Sequence, residues 1–293
     1  MKQLPRIAAK LFCEPWSILP GTHAQIVRQF RAYLEKGDKG DDGDPCTIAP
    51  EPGPGCDAPI GPALVKEDGT LRPLHSQVQV RGALAILPVC GVIGKHLSAL
   101  EMLCGGTDSA IIAKQARAIA ADSRITTVIV HIDSPGGVCV GAPECARAIL
   151  AMGEAGKDTM AYTDTQASSN GYFLAAACNA IFAAPSAIVG SISTYCAFED
   201  ESAAYAMEGV EIQMFRTGEV KGAGTEGKPW TPAEKEAMQL VTNQFGEQFK
   251  SFIRARRGLG EELMQGQFWP AEFAPAGLVD GLVDDLDALI AML

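Results

Sequence analysis

Residues 126–137 read TTVIVHIDSPGG, a β-branched apolar run of strand length that stops at a Pro-Gly-Gly turn. Upstream, TDSAIIAKQARAIAADS (107–123) has the period of an amphipathic helix, with Thr107 or Asp108 as its cap. Downstream, PECARAILAMGEAG is a second helix, DTMAYTDT a strand, and GYFLAAACNA a helix of small residues. AIFAAP and AIVGSIS read as short strands, VQVRGALAILPVCGVI (78–93) as strand, bend, strand, and GVEIQMFRTG (209–218) as a further strand. This β-α-β-α order predicts a parallel sheet covered by helices and joined by right-handed crossovers.

The regular pattern occupies residues 77–293. Residues 1–36 read as a short helical unit, because GTHAQIVRQFRAYLE spaces Ile26, Val27, Phe30, Tyr33 and Leu34 on one face. Residues 37–76 read as a linker or loop, rich in glycine, proline and aspartate over 37–62. Near the other end, Thr231, Pro232 and Glu234 form an N-cap, a first-turn proline and a capping-box acid. That helix carries Met238, Val241, Phe245, Phe249 and Phe252 as a stripe and closes in RARRG, whose arginines suit the helix dipole.

A net charge of −11 argues against nucleic acid as a partner, since phosphate neutralisation needs clustered Lys and Arg. No uninterrupted apolar run is long enough for a bilayer span, so no membrane anchor is expected, and the expected compartment is cytoplasmic. The nine cysteines show no CxxC pair and the chain has no HExxH. Reduced thiols are expected, with no metal and no cofactor.

Candidate chemistry lies in three places. Pro-Gly-Gly at 135–137 can present successive amides to a developing oxyanion, with Gly136 and Gly137 as donors, although an ordinary strand-to-helix turn has the same composition. In ASSNGYFL (167–174), Ser169 precedes a helix whose N-terminus favours negative charge, and the Asn170 amide could add a donor. Ser168 and Ser169 would equally serve as helix caps. A serine nucleophile needs a base, and none of the four histidines (His23, His75, His96, His131) follows Ser169. His131 sits within the apolar strand, where a packing role is expected for it and for its neighbour Asp133. A lysine base must be neutral, which takes its pKa from about 10.4 to about 7–8 at roughly 3–5 kcal/mol. Lys221, in RTGEVKGAG, is the candidate, although a lysine in a glycine-rich loop is ordinarily a solvated charge.

Taken together, SPGG, ASSNGYFLA, VGSIS, TGEVKGAGTEGKPWTPAEKEAM and GQFWPAEFAPAGLVDGLVDDL (266–286) resemble, in order and spacing, the signal peptide peptidase A family of serine peptidases over about residues 80–290. The resemblance implies an α/β fold of the ClpP/crotonase-like kind in a single repeat. It further implies a Ser/Lys dyad of Ser169 and Lys221, an oxyanion hole from Gly136, Gly137 and Asn170, and Ser191 as an orienter of the lysine. Where the family has Ser-Gly-Gly and Gly-Ser-Ile-Gly, this chain has Ser169-Asn170-Gly171 and Gly190-Ser191-Ile192-Ser193, which leaves Ser168 open as an alternative nucleophile. With no membrane anchor in view and PRIAAKLFCEPWSILP at its start, the chain looks most like the phage lambda-type head-maturation branch.

That branch implies an endopeptidase acting on capsid or scaffold proteins in the host cytoplasm or prohead. It also implies a homo-oligomeric ring in which Ser169 and Lys221 pair across subunits. The alternatives are a cellular signal-peptide-degrading protease, a crotonase-like acyl-CoA enzyme, and an inactive structural homologue.

Overall fold

A computed structural model describes residues 78–98, 101–102 and 105–293, together with the backbone of three short strands before them. Those three are β1 (Trp16–Ile18), β2 (Ala63–Val65) and β3 (Leu71–Pro73). The helix expected over 21–35 and the stretch 37–62 lie outside the described residues. Within the expected linker 37–76, β2 and β3 pair antiparallel.

The domain is built on a six-stranded sheet. Its strands are β4 (Gln79–Arg81), β5 (Leu84–Cys90), β8 (Thr127–Asp133), β10 (Asp158–Thr163), β12 (Ala180–Ala183) and β15 (Gly281–Leu282), in the order β15-β12-β10-β8-β5-β4. All neighbours are parallel except the β4–β5 pair. The intervening strands β6 (Val92–Gly94), β7 (Gly106–Asp108) and β9 (Gly136–Val138) join β1 in a second sheet of order β1-β9-β6-β7. A third sheet, β11-β13-β14, is formed by β11 (Gln166–Ser168), β13 (Ile188–Gly190) and β14 (Phe268–Pro270).

The helices are α1 (Ser109–Ala121), α2 (Ala142–Glu154), α3 (Asn170–Ala175), α4 (Ser202–Met207), α5 (Pro232–Arg257) and α6 (Leu286–Ala291). The alternation in TTVIVHID sorts the strand between two layers. Val128, Val130 and Ile132 face the main core with Ile112, Ile149, Tyr172 and Leu174 of the helices. Ile129 faces the other side, with Met160, Tyr162, Val283 and Leu289. The expected parallel sheet with covering helices is therefore present, and hydrophobic burial on both faces explains the near-continuous apolar strands.

The caps follow their sequence signals. Asp108 caps α1 by accepting from the Ala110 amide at 2.8 Å. Thr231 and Glu234 form the capping box of α5, and Gly258 ends it at φ 67°. The arginines at that end do more than answer the dipole. Arg256 donates to the carbonyls of Ala176 and Cys178, while Arg257 pairs with Asp280.

One expectation fails. Residues 209–218 form no strand; the run after α4 is irregular and largely exposed, with Phe215 95% exposed. A strand needs an edge to pair with, and the chain offers this segment none among the described residues. No helix among the described residues is long and apolar enough to cross a membrane.

Candidate active site

The site gathers at the C-terminal ends of the parallel strands, where open α/β sheets characteristically place their chemistry. As β8 ends, Ser134 leaves the sheet. Its amide donates to Gln166 O at 2.9 Å, and its carbonyl accepts from the Ser168 amide at 3.0 Å, which draws β11 beside the Pro-Gly-Gly turn. The Ser134 hydroxyl, fully buried, donates to Gly91 O at 2.7 Å and accepts from the Gly136 amide at 3.2 Å. It thus holds the turn from within. The motif was legible, but nothing in the sequence singled out this hydroxyl.

β11 then passes into α3 through Ser169, at φ 54° and ψ −119°. These angles suit the first central residue of a type II′ turn, a place normally held by glycine. A side chain there costs about 1–3 kcal/mol, a strain that concentrates at functional sites. Among the described residues only His96, Ser169 and Ser191 combine a side chain with positive φ. Two of the three are adjacent: the Ser169 amide donates to Gly190 O at 2.7 Å, and Ser191, at φ 56°, donates to Gln267 O at 2.6 Å. All of Ser168, Ser169, Asn170 and Ser191 are buried. Ser168 sits in regular strand pairing with Gly190, and its hydroxyl is buried with no hydrogen-bond partner among the described residues.

Asn170 joins the turn at Ser169 to β9. Its side-chain amide donates to Gly137 O at 3.3 Å and Val138 O at 2.7 Å, both on β9. Close packing makes the glycines obligatory here. A Cβ at Gly137 would lie 1.8 Å from Ile93 O, and one at Gly171 would lie 2.9 Å from Ser134 O. The three expected donors thus lie together, Gly136 and Gly137 on β9 and Asn170 at the head of α3, with the Gly136 amide already engaged by Ser134.

Lys221 is not buried with them. It lies exposed in a turn whose amide donates to Gly218 O at 3.1 Å. Arg216 fixes that turn to α5: its guanidinium pairs with the buried Glu234 carboxylate and reaches Lys221 O at 3.5 Å. Lys228 donates to both Glu234 oxygens, at 2.8 and 2.6 Å. The Lys228 ammonium, then the Thr231 amide, then Arg216 hold the Glu234 carboxyl down at about 2. Glu234 was legible as a capping acid; its ion pairs span 6 and 18 residues and were not.

Two other polar groups near the sheet have structural partners. Lys157 is buried, but it precedes β10 at the opposite end of the sheet and donates to Asp122 O and Ile125 O at 2.6 and 2.7 Å. His131 lies against Tyr162, with Nε2 3.4 Å from Asp164, and Asp133 accepts from Thr165 at 2.6 Å. Among the described residues no group of His, Cys, Asp and Glu is arranged to hold a metal ion.

Residues 151–292, which carry Ser168, Ser169, Ser191 and Lys221, match the model of peptidase family S49. The chain is similar to capsid assembly protease C of Escherichia phage lambda, at 28% identity over 100% of this chain and 66% of that protein. It is also similar to protease 4 of Salmonella typhi, at 30% identity over 74% of this chain and 35% of that protein. It thus spans less than two thirds of the length of each. Among solved structures, a ClpP1 mutant from Listeria monocytogenes aligns at a TM-score of 0.44 and 14% identity, covering 70% of this chain and 94% of that one.

Proposed function

We propose that this protein is a serine endopeptidase with Ser169 as nucleophile and Lys221 of a neighbouring subunit as general base. The observation that carries this reading is the Ser169 elbow: a buried serine in a glycine conformation between a strand and a helix N-terminus. Such a turn aims a hydroxyl away from its own backbone, and strain of this kind persists where the surroundings fix it for function. Ser168, one residue earlier, has no such geometry and is the weaker candidate.

In the proposed reaction the Ser169 hydroxyl attacks the scissile carbonyl and its proton passes to the neutral amine of Lys221. The oxyanion forms against amides drawn from Gly136, Gly137 and Asn170. As the first helical residue, Asn170 has an amide without an intrahelical acceptor. Lys221 then protonates the leaving amine, and water releases the acyl group. Ser191, the buried neighbour of the elbow, is assigned to orient the lysine.

Pairing between subunits is supported by the contrast in exposure. Ser169 is 1% exposed, whereas Lys221 is exposed just after a run whose alternating pattern is strand-like but which pairs with no strand among the described residues. A base must shed its water to work near neutral pH, and docking this run on a second copy would do so. The substrates we assign are capsid or scaffold proteins, in line with the similarity to the phage lambda protease.

The test is cleavage of casein and of scaffold-derived peptides by wild type, Ser169→Ala, Lys221→Ala and an equimolar mixture of the two variants. Each variant alone should be inactive and the mixture should recover activity. No recovery after confirmed subunit exchange sinks the inter-subunit dyad; activity surviving in Ser169→Ala moves the nucleophile to Ser168.

A further inference from the structure

The strand that bears the oxyanion glycines has two edges. One is taken by β6, through the parallel pairing of Ile93 with Gly137. The other is taken by the chain's own N-terminal segment: Trp16, Ser17 and Ile18 pair antiparallel with Val138, Gly137 and Gly136. β6 is integral to the domain, because it also pairs with β7, which leads directly into α1. β1 is separated from the domain by some sixty residues of sequence.

An extended polypeptide reaching Ser169 must lie along an edge beside the elbow, and strand addition is the general way a protein binds such a chain. Asn170 clamps β9 to the elbow, so β9 supplies that edge. Of its two sides, the one that β1 covers is the side not committed to the domain. The sequence of the segment also limits it to a short occupant, since Pro15 and Pro20 bracket it and neither has an N–H to donate.

We propose that residues 16–18 act as an intramolecular competitor of the substrate, occupying in antiparallel register the β9 edge on which an extended peptide would bind. The proposal rests on the peptidase reading for its effect on chemistry, and on backbone pairing alone for the seat itself. A tethered occupant competes at a high effective concentration, so its release should accelerate reaction at Ser169 by about tenfold.

The experiment uses the full-length chain and a Ser17→Pro/Ile18→Pro double variant. Successive strand amides point to opposite edges, so one of these two faces β9 and the variant removes it whichever it is. Labelling of Ser169 by a fluorophosphonate is timed in both proteins. Amide hydrogen exchange is followed at 136–138, with β8 amides as the control for an intact fold. The expected result is labelling about tenfold faster and quicker exchange at 136–138 in the variant, both reversed by adding the peptide EPWSILP. Equal labelling rates and equal exchange overturn the competitor while leaving the peptidase reading intact. Absence of labelling in both proteins, with Ser169 present, fails the peptidase reading and takes the competition with it.

Discussion

The side-chain amide of Asn170 donates to the carbonyl of Val138 at 2.7 Å, which ties the first turn of α3, just after Ser169, to β9 with its Gly136-Gly137 pair. Because the NH2 group is a pure donor and faces two carbonyl acceptors, its replacement can be graded. Asn170→Ala removes the tie, at about 1 kcal/mol for a buried hydrogen bond. Asn170→Asp sets a carboxylate against two carbonyl oxygens. Both should lower kcat/KM in peptide hydrolysis, with Asp the more damaging in activity and in melting temperature. A fully active Asn170→Asp protein would contradict the clamp.

The strain at Ser169 predicts different stabilities for two variants that both lack the hydroxyl. Ser169→Gly relaxes a positive φ and should stabilise the fold by about 1 kcal/mol, net of the entropy glycine adds to the unfolded chain. Ser169→Ala keeps the strain and should melt near wild type. Equal melting temperatures for the two would argue that the elbow is unstrained.

Gly137→Ala tests the packing of β9. Its Cβ would meet the Ile93 backbone at 1.8 Å, and backbone cannot step aside as a flexible side chain can. The variant should lose several kcal/mol, in the upper range for single substitutions, or fail to accumulate as folded protein. A wild-type unfolding midpoint in urea would show that β9 can shift.

Glu234 gives a pH dependence with a definite sign. Its carboxyl falls from an ordinary 4.5 to about 2 in the folded chain, so the stabilisation is complete above about 4.5 and is lost as pH falls toward 2. Urea midpoints of wild type should therefore decline across that window more steeply than those of Glu234→Gln. Because Glu234 also anchors Arg216, and through it the Lys221 turn, the variant should lose peptidase activity at neutral pH, where its stability deficit is still tolerated. Full activity in a Glu234→Gln protein would detach the anchor from the site.

Much of this was readable in the chain. TTVIVHID announced a buried parallel strand because both its faces are covered. Thr231-Pro-x-Glu234 announced a helix start because capping is local. Ser169 and the Gly-Gly pair lay in motifs whose residue types carry chemistry. The parts that stayed hidden are those set by distance in sequence. Ser134 serves Gly91, 43 residues away, and Asn170 serves Val138, 32 residues away. Residues 209–218 misled for a related reason: Val210, Ile212 and Met214 alternate as in a strand, but pairing depends on a neighbour that the described residues do not provide.

The main sheet ends in β4, three residues long and carrying Arg81, and in β15, only two residues long. Short, charged borders make poor templates for edge-on polymerisation. Addition of a second copy of the sheet at either border is therefore disfavoured, because each offers only two or three residues to pair with.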